Sequence, residues 1–407
     1  MTAIAPPTDE APALTVLSLN AGSSSLKFGL YRVRSTGAEV LLSGAAEAIG
    51  EPAGRFRVRD AHGASLLGEK GAIPSQADAL HRVGTLLAHK GREAPEAIGH
   101  RIVHGGPRLR RHCLIDAAVL RELEAASAFA PLHAPAALAA IRFAHSHFPG
   151  NPQAACFDTT FHADMPDVAR ILPIAQELQA DGVQRYGFHG LSCQSIVRQI
   201  VGGPPERMVV AHLGAGASVT AIRHGRSVDT TMGLTPTGGV MMATRSGDLD
   251  PGVLVYLMRE KGFYAGRIED LVDRHSGLLG VSGVSGDLRD LHDASATNPA
   301  AQLAVEMFCY SVAKQIAAMI AALDGIDLLV FTAGVGENDP AVRAAICAYL
   351  AWIGVGLDPT HNQSAINPIS AEGSRCAVLV LPSREDEEIA RQAWALCSRG
   401  RLAGADR

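Results

Sequence analysis

Residues 14–31 are Leu14-Thr-Val-Leu-Ser-Leu-Asn-Ala-Gly-Ser-Ser-Ser-Leu-Lys-Phe-Gly-Leu-Tyr31, and the interpretation of the rest of the chain depends on them. Residues 14–19 are an apolar run of β-type composition, residues 20–25 a short Gly/Ser turn, and residues 26–31 a second β-type run. The pattern predicts a hairpin. Its turn exposes backbone N–H groups, because glycine carries no Cβ, and serine hydroxyls add donors for an anion such as phosphate. A hairpin needs glycine for its geometry as well, so one turn alone is weak support for such a site.

Two further turns strengthen the argument. The strand Arg207–His212 runs into the turn Leu213–Ser218 and returns over 219–222, and the strand Asp327–Phe331 runs into the turn Ala333–Asn338. Each turn follows an apolar strand and lies at a strand end, where ligands collect in α/β proteins. None of the turns matches the P-loop pattern or the dinucleotide pattern G-x-G-x-x-G. The two hairpins suggest two related domains.

The composition limits the class of protein. The chain has 407 residues, 47% of them apolar and 19% charged, and a net charge of −5. At roughly 150 residues per domain, this length predicts two or three domains. Disordered, collagenous and small disulfide-stapled proteins are excluded by the apolar content. No basic block indicates a nucleic acid or an anionic membrane as a partner. The 42 glycines exceed the average of about 7%.

The chain carries no pattern of a secreted or membrane protein. Residues 1–13 hold prolines and acids but not the basic start and apolar run of a signal peptide. The apolar stretch Ala301–Leu323 contains Glu306 and Lys314, which favours a core helix over a bilayer span. The seven cysteines include no C-x-x-C pair, so neither a zinc site nor a disulfide framework is supported. We therefore predict a cytoplasmic protein with buried thiols.

Helical spacing over residues 75–90, 116–129 and 134–147 is interleaved with strands, among them Ala154–Phe157. Strands mixed with long helices, without a Rossmann fingerprint, predict an α/β protein of another type.

Eight motifs, in order and spanning about residues 14–390, resemble those of the acetate kinase family. They are Leu19-Asn-Ala-Gly-Ser-Ser-Ser-Leu-Lys-Phe28, His100-Arg-Ile-Val-His-Gly-Gly106, Ala130-Pro-Leu-His-Ala-Pro135, Phe157-Asp-Thr-Thr-Phe-His162, Arg185-Tyr-Gly-Phe-His-Gly190, Met232-Gly-Leu-Thr-Pro-Thr-Gly-Gly-Val-Met-Met-Ala-Thr-Arg-Ser-Gly-Asp-Leu-Asp-Pro251, Ser282-Gly-Val-Ser-Gly-Asp-Leu-Arg289 and Phe331-Thr-Ala-Gly-Val-Gly-Glu-Asn338.

The resemblance implies a two-domain, actin-like ATPase fold of the ribonuclease-H-like type, with a mixed β-sheet flanked by helices in each domain and a cleft between them. It implies a first domain of residues 1–159 and 387–407, closed by the C-terminal helix, and a nucleotide-binding domain of residues 160–386. The implied reaction is ATP + acetate ⇌ ADP + acetyl phosphate in a homodimer, with Mg²⁺, for which Mn²⁺ can substitute. Propionate kinase is the alternative within the family, butyrate kinase is less favoured, and a non-catalytic actin-like nucleotide switch is the alternative outside it.

The resemblance also implies catalytic residues. A carboxylate substrate has a pKa of about 4 and is already ionised at neutral pH, so the reaction needs cations and alignment rather than a general base. Arginine forks suit this need, because a guanidinium binds carboxylate or phosphoryl oxygens bidentately. We favour direct in-line transfer over a phosphohistidine intermediate. The residues that match the family's catalytic positions are Arg101, His133, Asp158, His189 and Arg245.

Other positions match the family's ligand-binding sets. Arg101, Val103, Leu132, Phe188 and Pro236 match substrate contacts, although the four apolar ones are equally explained by core packing. For the nucleotide we expect Ser23, Ser25, Lys27, His212, Leu213, Gly214, Ala215, Gly216, Asp287, Leu288, Arg289, Gly334, Val335, Gly336, Glu337 and Asn338. Lys27 is alternatively a solvated strand lysine. Asn20 and Glu385 match the metal-linked pair, with Asp386 as a rival to Glu385.

Three positions in or beside these segments depart from the family pattern. Ala215 stands where an asparagine is more common, which removes an amide donor near the phosphates. Arg384 replaces a small polar residue. Pro107 replaces a common acidic residue, and the arginines 108, 110 and 111 that follow it are unusually basic.

Overall fold

The computed structural model describes residues 12–89, 93–130 and 133–405, and two compact units account for the chain. Unit 1 combines Met1–Thr160 with Arg384–Arg407, and unit 2 is Phe161–Ser383. By this division the segment that carries Glu385 and Asp386 belongs to unit 1.

Unit 1 is built on an eight-stranded mixed sheet in the order β5-β4-β3-β2-β1-β6-β8-β7. Its strands are β1 (Leu14–Ala21), β2 (Ser25–Arg34), β3 (Gly37–Glu47), β4 (Arg55–Asp60), β5 (Ser65–Lys70), β6 (Ala97–Ile102), β7 (Cys113–Leu114) and β8 (Gln153–Phe157). Its helices are α1 (Gln76–Leu87), α2 (Ala117–Ala125), α3 (Ala134–His147) and the C-terminal α15 (Glu385–Ala405), with a 3-10 turn at Ala126–Phe129.

The two faces of this sheet have different neighbours. Strand β1 pairs antiparallel with β2 and parallel with β6, and β6 pairs parallel with β8. A Cβ added at Gly99 would lie 2.6 Å from Ile389 of α15, so the sheet face that includes Gly99 and its cross-strand neighbours Ser18 and Ala154 points toward that helix. The opposite face, with Leu17, Leu19 and Ile98, packs against apolar residues of α1 and α3.

Unit 2 is built on a five-stranded sheet in the order β11-β10-β9-β12-β13. The strands are β9 (Arg207–Leu213), β10 (Ala217–Arg223), β11 (Arg226–Thr230), β12 (Leu328–Thr332) and β13 (Ala377–Val380). The helices are α4 (Asp167–Arg170), α5 (Gln176–Ala180), α6 (Gly190–Gln199), α7 (Pro251–Glu260), α8 (Ala265–Arg274), α9 (Gly277–Ser282), α10 (Leu288–Ser295), α11 (Pro299–Leu323), α12 (Ala333–Asn338), α13 (Pro340–Ala348) and α14 (Pro359–Ser364), with a 3-10 turn at Ala351–Ile353. A further 3-10 turn, Thr160–His162, starts at Thr160 of unit 1 and continues into unit 2.

The centre of each sheet has the same local arrangement. In unit 1, β1 lies between its antiparallel hairpin partner β2 and the parallel strand β6. In unit 2, β9 lies between its antiparallel partner β10 and the parallel strand β12. This correspondence agrees with the two related hairpins in the sequence.

Helix α11 is the longest helix of unit 2. Its 25 residues are long and apolar enough to cross a membrane by length and composition. In the structure, however, it lies along β9 and β10, and Phe308, Val312 and Ile316 are buried. The apolar face of α11 is therefore core, as its internal charges predict.

The fold class is confirmed as α/β, with one mixed sheet in each of two units and helices packed on the sheets. Three local predictions were wrong. The turn predicted at Leu213–Ser218 is confined to residues 214–216, because the ladder of β9 and β10 extends to the pair Leu213↔Ala217. Residues Ala333–Asn338 form the short helix α12 rather than a turn, since six residues are too few for helical periodicity to be visible in sequence. Asn20 and Ser25 lie within β1 and β2, because the ladder continues through Ala21↔Leu26 and leaves only residues 22–24 as the turn.

Candidate active site

The carboxyl ends of three parallel strands in unit 1 bring polar side chains together. Asn20 on β1, Arg101 on β6 and Asp158 directly after β8 all belong to the sheet face that points toward α15. Because parallel strands end at one edge of a sheet, residues far apart in sequence become neighbours there. The order of the strands thus gathers one amide, one guanidinium and one carboxylate.

Arg101 is held by two partners. Its Nε lies 3.1 and 3.0 Å from the two carboxylate oxygens of Asp158, and its Nη2 lies 2.6 Å from Oδ2. Its Nη1 donates to Asn20 Oδ1 at 3.1 Å. Burial raises the pKa of the Asp158 carboxyl, and the adjacent Arg101 guanidinium acts in the opposite direction. The side chain of Asp158 is 1% exposed and that of Arg101 18%, so the arginine is a fixed cation with part of its surface open.

Two carboxylates at the start of α15 lie beside Asn20. The Nδ2 of Asn20 is 3.2 Å from Asp386 Oδ1 and 3.4 Å from Glu385 Oε2, so the structure brings both rival acids to this amide. Burial raises the pKa of Asp386, Lys27 opposes the shift, and the neighbouring Glu385 adds to it. The acidic run at 385–388 is therefore not a solvated face.

Glu385 and Asp386 present carboxylate oxygens of the kind that Mg²⁺ prefers, while Asn20 turns its Nδ2 toward them and its Oδ1 accepts from Arg101. This ion takes one or two carboxylates and completes its shell with waters and substrate phosphates. Among the described residues, no group of three or more His, Cys, Asp and Glu side chains is arranged to hold a metal. Glu385 and Asp386 are thus the side chains at this point that could contribute oxygens to a partly hydrated ion.

The first Gly/Ser turn is fixed from outside by a residue that the sequence analysis missed. Gln76, the first residue of α1, donates from Nε2 to the carbonyls of Gly22 at 2.7 Å and Ser25 at 3.2 Å. Ser23 and Lys27 are exposed, and Lys27 pairs with Asn20 across the β1–β2 ladder, so it shares that sheet face. No local pattern in sequence reveals a contact between residues 22 and 76.

In unit 2, two histidines stack on each other. The rings of His189 and His212 are 4.0 Å apart at 16°. His189 precedes α6 with φ 57° and ψ 25°, a left-handed conformation that is uncommon for a residue with a side chain and that clusters at functional sites. The Nδ1 of His189 lies 3.0 Å from Ser218 Oγ, and the Nδ1 of His212 lies 2.8 Å from Ser192 Oγ. Both serines were missed by the sequence analysis.

The β9–β10 turn contacts both His189 and Arg245. A Cβ added at Gly216 would lie 3.3 Å from His189 Nε2 and 3.3 Å from Arg245 Nη1. The turn is closed by a bond from the Gly214 amide to the Gly216 carbonyl at 3.0 Å. Arg245 also donates to the carbonyl of Pro236 at 3.3 Å. Thus unit 2 gathers an imidazole, a guanidinium and a glycine backbone at one point, which is the chemistry that binds phosphoryl oxygens.

Several residues expected to bind the nucleoside part of ATP make hydrogen bonds within their own segments. Asp287 caps α10 by accepting from the Arg289 amide at 2.9 Å, and it also accepts from the Arg289 guanidinium Nε at 3.0 Å. Within α12, Asn338 donates to the carbonyl of Gly334 at 2.8 Å. Arg343 is 1% exposed and donates to the carbonyls of Gly336 at 2.9 Å and Glu337 at 3.1 Å. Arg343 was also missed, although a buried arginine needs such a set of acceptors.

The remaining expected residues are distributed over both units. His133 is the N-cap residue directly before α3, and Val103 is buried; both belong to unit 1. Phe188 and Pro236 belong to unit 2, where Phe188 is buried. Leu132 lies outside the described residues.

Comparison with known proteins assigns the family. The Acetokinase family profile matches residues 15–391. The chain is 42% identical to the acetate kinase of Nitrobacter hamburgensis over 390 residues, which covers 94% of this chain and 96% of the relative. It is 43% identical to the acetate kinase of Thermosynechococcus vestitus over 410 residues, covering 95% and 99%.

Solved structures agree with this result. A propionate kinase from Francisella tularensis superposes with a TM-score of 0.87 at 35% identity, covering 94% of this chain and 100% of that one. The acetate kinase of Porphyromonas gingivalis superposes with a TM-score of 0.82 at 35% identity, covering 95% and 100%. With the family profile, the full-length relatives and the fold in agreement, the chain belongs to the acetokinase family.

Proposed function

We propose that this protein is an ATP-dependent acetate kinase that reversibly transfers the γ-phosphoryl group of ATP to acetate, giving acetyl phosphate and ADP. The observation that carries the proposal is the side-chain cluster of Arg101, Asp158 and Asn20 at the strand ends of unit 1, in a chain of this family. The acetate kinase relatives, at 42% and 43% identity over nearly the whole chain, support the substrate assignment.

The chemistry requires cations more than a base. Acetate is ionised at neutral pH, so its oxygen is already a nucleophile, and the barrier is the approach of one anion to a triphosphate. Arg101 binds the carboxylate in this proposal. Asp158 accepts three of the contacts from its guanidinium and so fixes the fork in one orientation. Asp158 acts by orienting this cation and organising the metal environment.

Unit 2 supplies donors for the moving phosphoryl group. His189 donates to an equatorial oxygen of that group, Arg245 neutralises its developing charge, and the backbone of the β9–β10 turn and His212 bind the adjacent phosphates. His133 is assigned to the active site as well. Preorganised donors of this kind lower the barrier because they need no reorganisation during the reaction.

The metal in this proposal is Mg²⁺, with Mn²⁺ able to substitute. Asn20, Glu385 and Asp386 are the side chains that would hold it, and their oxygen chemistry suits it. When bound, the ion neutralises charge on the nucleotide phosphates. The protein residues meanwhile orient the carboxylate and the nucleotide.

Propionate kinase activity is the second candidate, because a propionate kinase is among the solved structures with the same fold over the whole chain. One methylene in an apolar pocket changes binding by about 1–3 kcal/mol. Propionate is therefore expected to react, more slowly than acetate. Val103, Phe188, Pro236 and Leu132 are the residues proposed to set this preference.

We further propose a cytoplasmic homodimer. All seven cysteines of the described structure are free thiols and six are buried, which suits a reducing compartment. Helix α7 has no buried residue although its sequence is largely apolar. The helix and its flanking residues expose several large apolar side chains within one segment, whereas single, scattered apolar side chains are normal on a protein surface. The large apolar side chains exposed in this segment are Leu249, Val253, Val255, Tyr256, Met258 and Tyr264.

Hydroxylamine trapping of acyl phosphate tests the activity. Wild type and Arg245→Ala are incubated with Mg-ATP and acetate, propionate or butyrate, and the hydroxamate is measured. We expect the order acetate, propionate, butyrate for wild type and a loss of about 100-fold or more for the variant. ATP binding without hydroxamate from any acid would instead support the nucleotide-switch alternative and overturn the kinase assignment.

A further inference from the structure

A chain of hydrogen bonds in unit 2 connects helix α12 to the ring of His212. The backbone amide of Ser383 donates to Glu337 Oε1 at 2.9 Å. The Ser383 hydroxyl donates to Ser192 Oγ at 2.9 Å, and Ser192 Oγ lies 2.8 Å from Nδ1 of His212. These residues are up to 191 positions apart in sequence, so only the fold brings them together.

Both ends of this series of hydrogen bonds are held in place by other contacts. Gln199, the last residue of α6, donates from Nε2 to the carbonyl of Pro382 at 3.0 Å, while Ser192 lies in the first turn of the same helix. Helix α6 thus holds the segment 382–383 at two points. On the other side, Arg343 holds the Gly336 and Glu337 carbonyls of α12. Ser383 is therefore placed by rigid elements although it is the last residue of unit 2.

Which group donates in each of these hydrogen bonds follows from which atoms carry a hydrogen. A hydroxyl has one hydrogen and can accept as well as donate. When Ser383 donates to Ser192, the hydrogen of Ser192 is directed to Nδ1 of His212. In the structure the Ser383 hydroxyl is the donor of this pair, and the reverse direction would leave its hydrogen without an acceptor among the described residues, because that hydroxyl contacts Ser192 alone there. In a neutral imidazole that accepts at Nδ1, the hydrogen is on Nε2.

We propose that Ser192 and Ser383 are positioning residues that hold His212 in the Nε2–H tautomer, so that it donates to a phosphate oxygen of the nucleotide. The inference rests on the proposed function for the identity of the ligand, but the tautomer itself is a property of the free protein. It gives Glu337 a role different from a nucleotide contact: its carboxylate anchors the backbone of Ser383, which in turn orients Ser192.

The tautomer is measured by NMR on protein labelled with ¹⁵N in histidine, with the His212 signals identified by their loss in His212→Asn. We expect Nδ1 of His212 to have the shift of an unprotonated nitrogen in wild type and in Ser383→Thr, which keeps the hydroxyl. In Ser383→Ala and Ser192→Ala we expect a shift toward a mixture of tautomers. Ser383 is only partly buried, so Ser383→Ala keeps the test valid if Ser192→Ala does not fold.

A matched control separates this effect from a general loss of stability. Ser227 Oγ lies 2.8 Å from Nδ1 of the buried His162, a pair of the same kind in the same unit but outside the chain of bonds. Ser227→Ala should leave the His212 signals unchanged. In steady-state assays Ser383→Ala should lower kcat/KM for ATP about tenfold while leaving KM for acetate unchanged, and Ser383→Thr should restore it.

A hydrogen on Nδ1 of His212 in wild type, or an unchanged His212 pattern in Ser383→Ala, would overturn the inference. Because the NMR result needs no turnover, it is decided separately from the kinase assignment: absence of acyl phosphate in wild type contradicts the proposed function and leaves the tautomer question answered.

Discussion

Arg101 is the residue on which the unit 1 cluster is built, because three of its nitrogens are committed to Asp158 and Asn20. A guanidinium fixed in this way presents its charge in one direction and loses little conformational entropy when it binds an anion. The motif resemblance named the three residues, but the sequence could not show their contacts. Arg101 and Asp158 are 57 positions apart, and their pairing follows from the parallel order of β6 and β8.

Replacing Asp158 by asparagine tests the pairing. The substitution removes the carboxylate and leaves the guanidinium of Arg101 without its counter-charge, which for a buried pair costs about 3 kcal/mol of stability. Loss of its fixed orientation should also lower acetyl phosphate formation by about 100-fold. Urea unfolding and the hydroxamate assay measure the two effects.

Asp327→Asn is the control for that experiment, because it breaks the Arg207–Asp327 pair, whose side chains are 36% and 32% exposed. A surface pair of this type contributes less than about 1 kcal/mol, so both stability and activity should change little. Equal losses in the two variants would mean that the Arg101–Asp158 contact has no special role.

Among the elements, the segment before α6 shows how the backbone fixes a functional side chain. Gly187 has φ +73°, and an added Cβ would lie 2.6 Å from Thr230 Cγ2 and 2.7 Å from His162 Cγ. Only glycine fits this combination of conformation and crowding. Two residues later, His189 takes its own left-handed conformation and faces Gly216. The close packing at 187 therefore determines where the His189 ring lies.

Gly187→Ala should be strongly destabilising and should reduce activity, since relief of the clash moves the His189 backbone. The left-handed φ costs a residue with a Cβ about 1–2 kcal/mol, and overpacking adds about 1–3 kcal/mol. Gly150→Ala separates the two contributions, because Gly150 has φ +86° with nothing within 4 Å of an added Cβ. Thermal unfolding of both variants should show the larger loss at 187; a loss no greater than at 150 would contradict the crowding argument.

The sequence predicted most elements because their signals are local. The strands around both Gly/Ser turns and the helix Ala134–His147 follow directly from apolar periodicity. Helix α12 was missed because it is short, and the partners Gln76, Ser192, Ser218 and Ser383 were missed because each acts on a residue at least 20 positions away. A long-range hydrogen bond leaves no periodic pattern in the sequence, so it becomes visible only in the fold.

For the molecule as a whole, two buried histidines and one partly buried histidine predict a stability that falls in mild acid. Burial lowers the pKa of His100 and of His162 to about 4, and burial together with Arg111 lowers the pKa of His112 to about 4. Each ring has a fixed hydrogen-bond role; for example, Nδ1 of His112 accepts from the Phe157 amide at 3.0 Å. At His112 this role requires an unprotonated Nδ1, whereas at His100 and His162 it is burial that disfavours the charged ring.

The direction of this pH dependence follows from the number of protons that the unfolded and native states bind. Unfolded histidine binds a proton near pH 6.5 while the native ring does not until about pH 4, so these residues contribute fully above pH 6.5 and lose their contribution as the pH falls toward 4. The loss reaches roughly 3 kcal/mol per histidine. Asp158 and Asp386, whose pKa values burial raises, act in the opposite direction.

Comparison with a variant isolates the histidine effect. The urea midpoint of wild type should decrease between pH 7.5 and pH 5, and that of His100→Gln should decrease less, because one of the three protons is no longer taken up on unfolding. Identical pH dependence in both proteins would show that His100 is not held neutral in the native state.

The apolar surface of α7 and its flanks is the interface of the proposed dimer. Tyr256 is 53% exposed within the apolar α7 surface, whereas Val201 is 99% exposed in the loop after α6. Light scattering coupled to gel filtration should give a dimer for wild type and Val201→Arg, and a monomer for Tyr256→Arg, because a buried arginine without a partner is costly in an interface. A dimeric Tyr256→Arg would place the interface elsewhere.

In the proposed reaction the carboxylate attacks the γ-phosphoryl group directly, the arginines and His189 stabilise charge, and no histidine carries the phosphoryl group. The stereochemical course of the reaction tests this most directly, using ATP made chiral at its γ-phosphorus by oxygen isotopes. A single in-line displacement inverts the configuration at phosphorus, and we predict inversion in the acetyl phosphate formed. Retention would require two displacements through a phosphorylated residue and would rule out direct transfer.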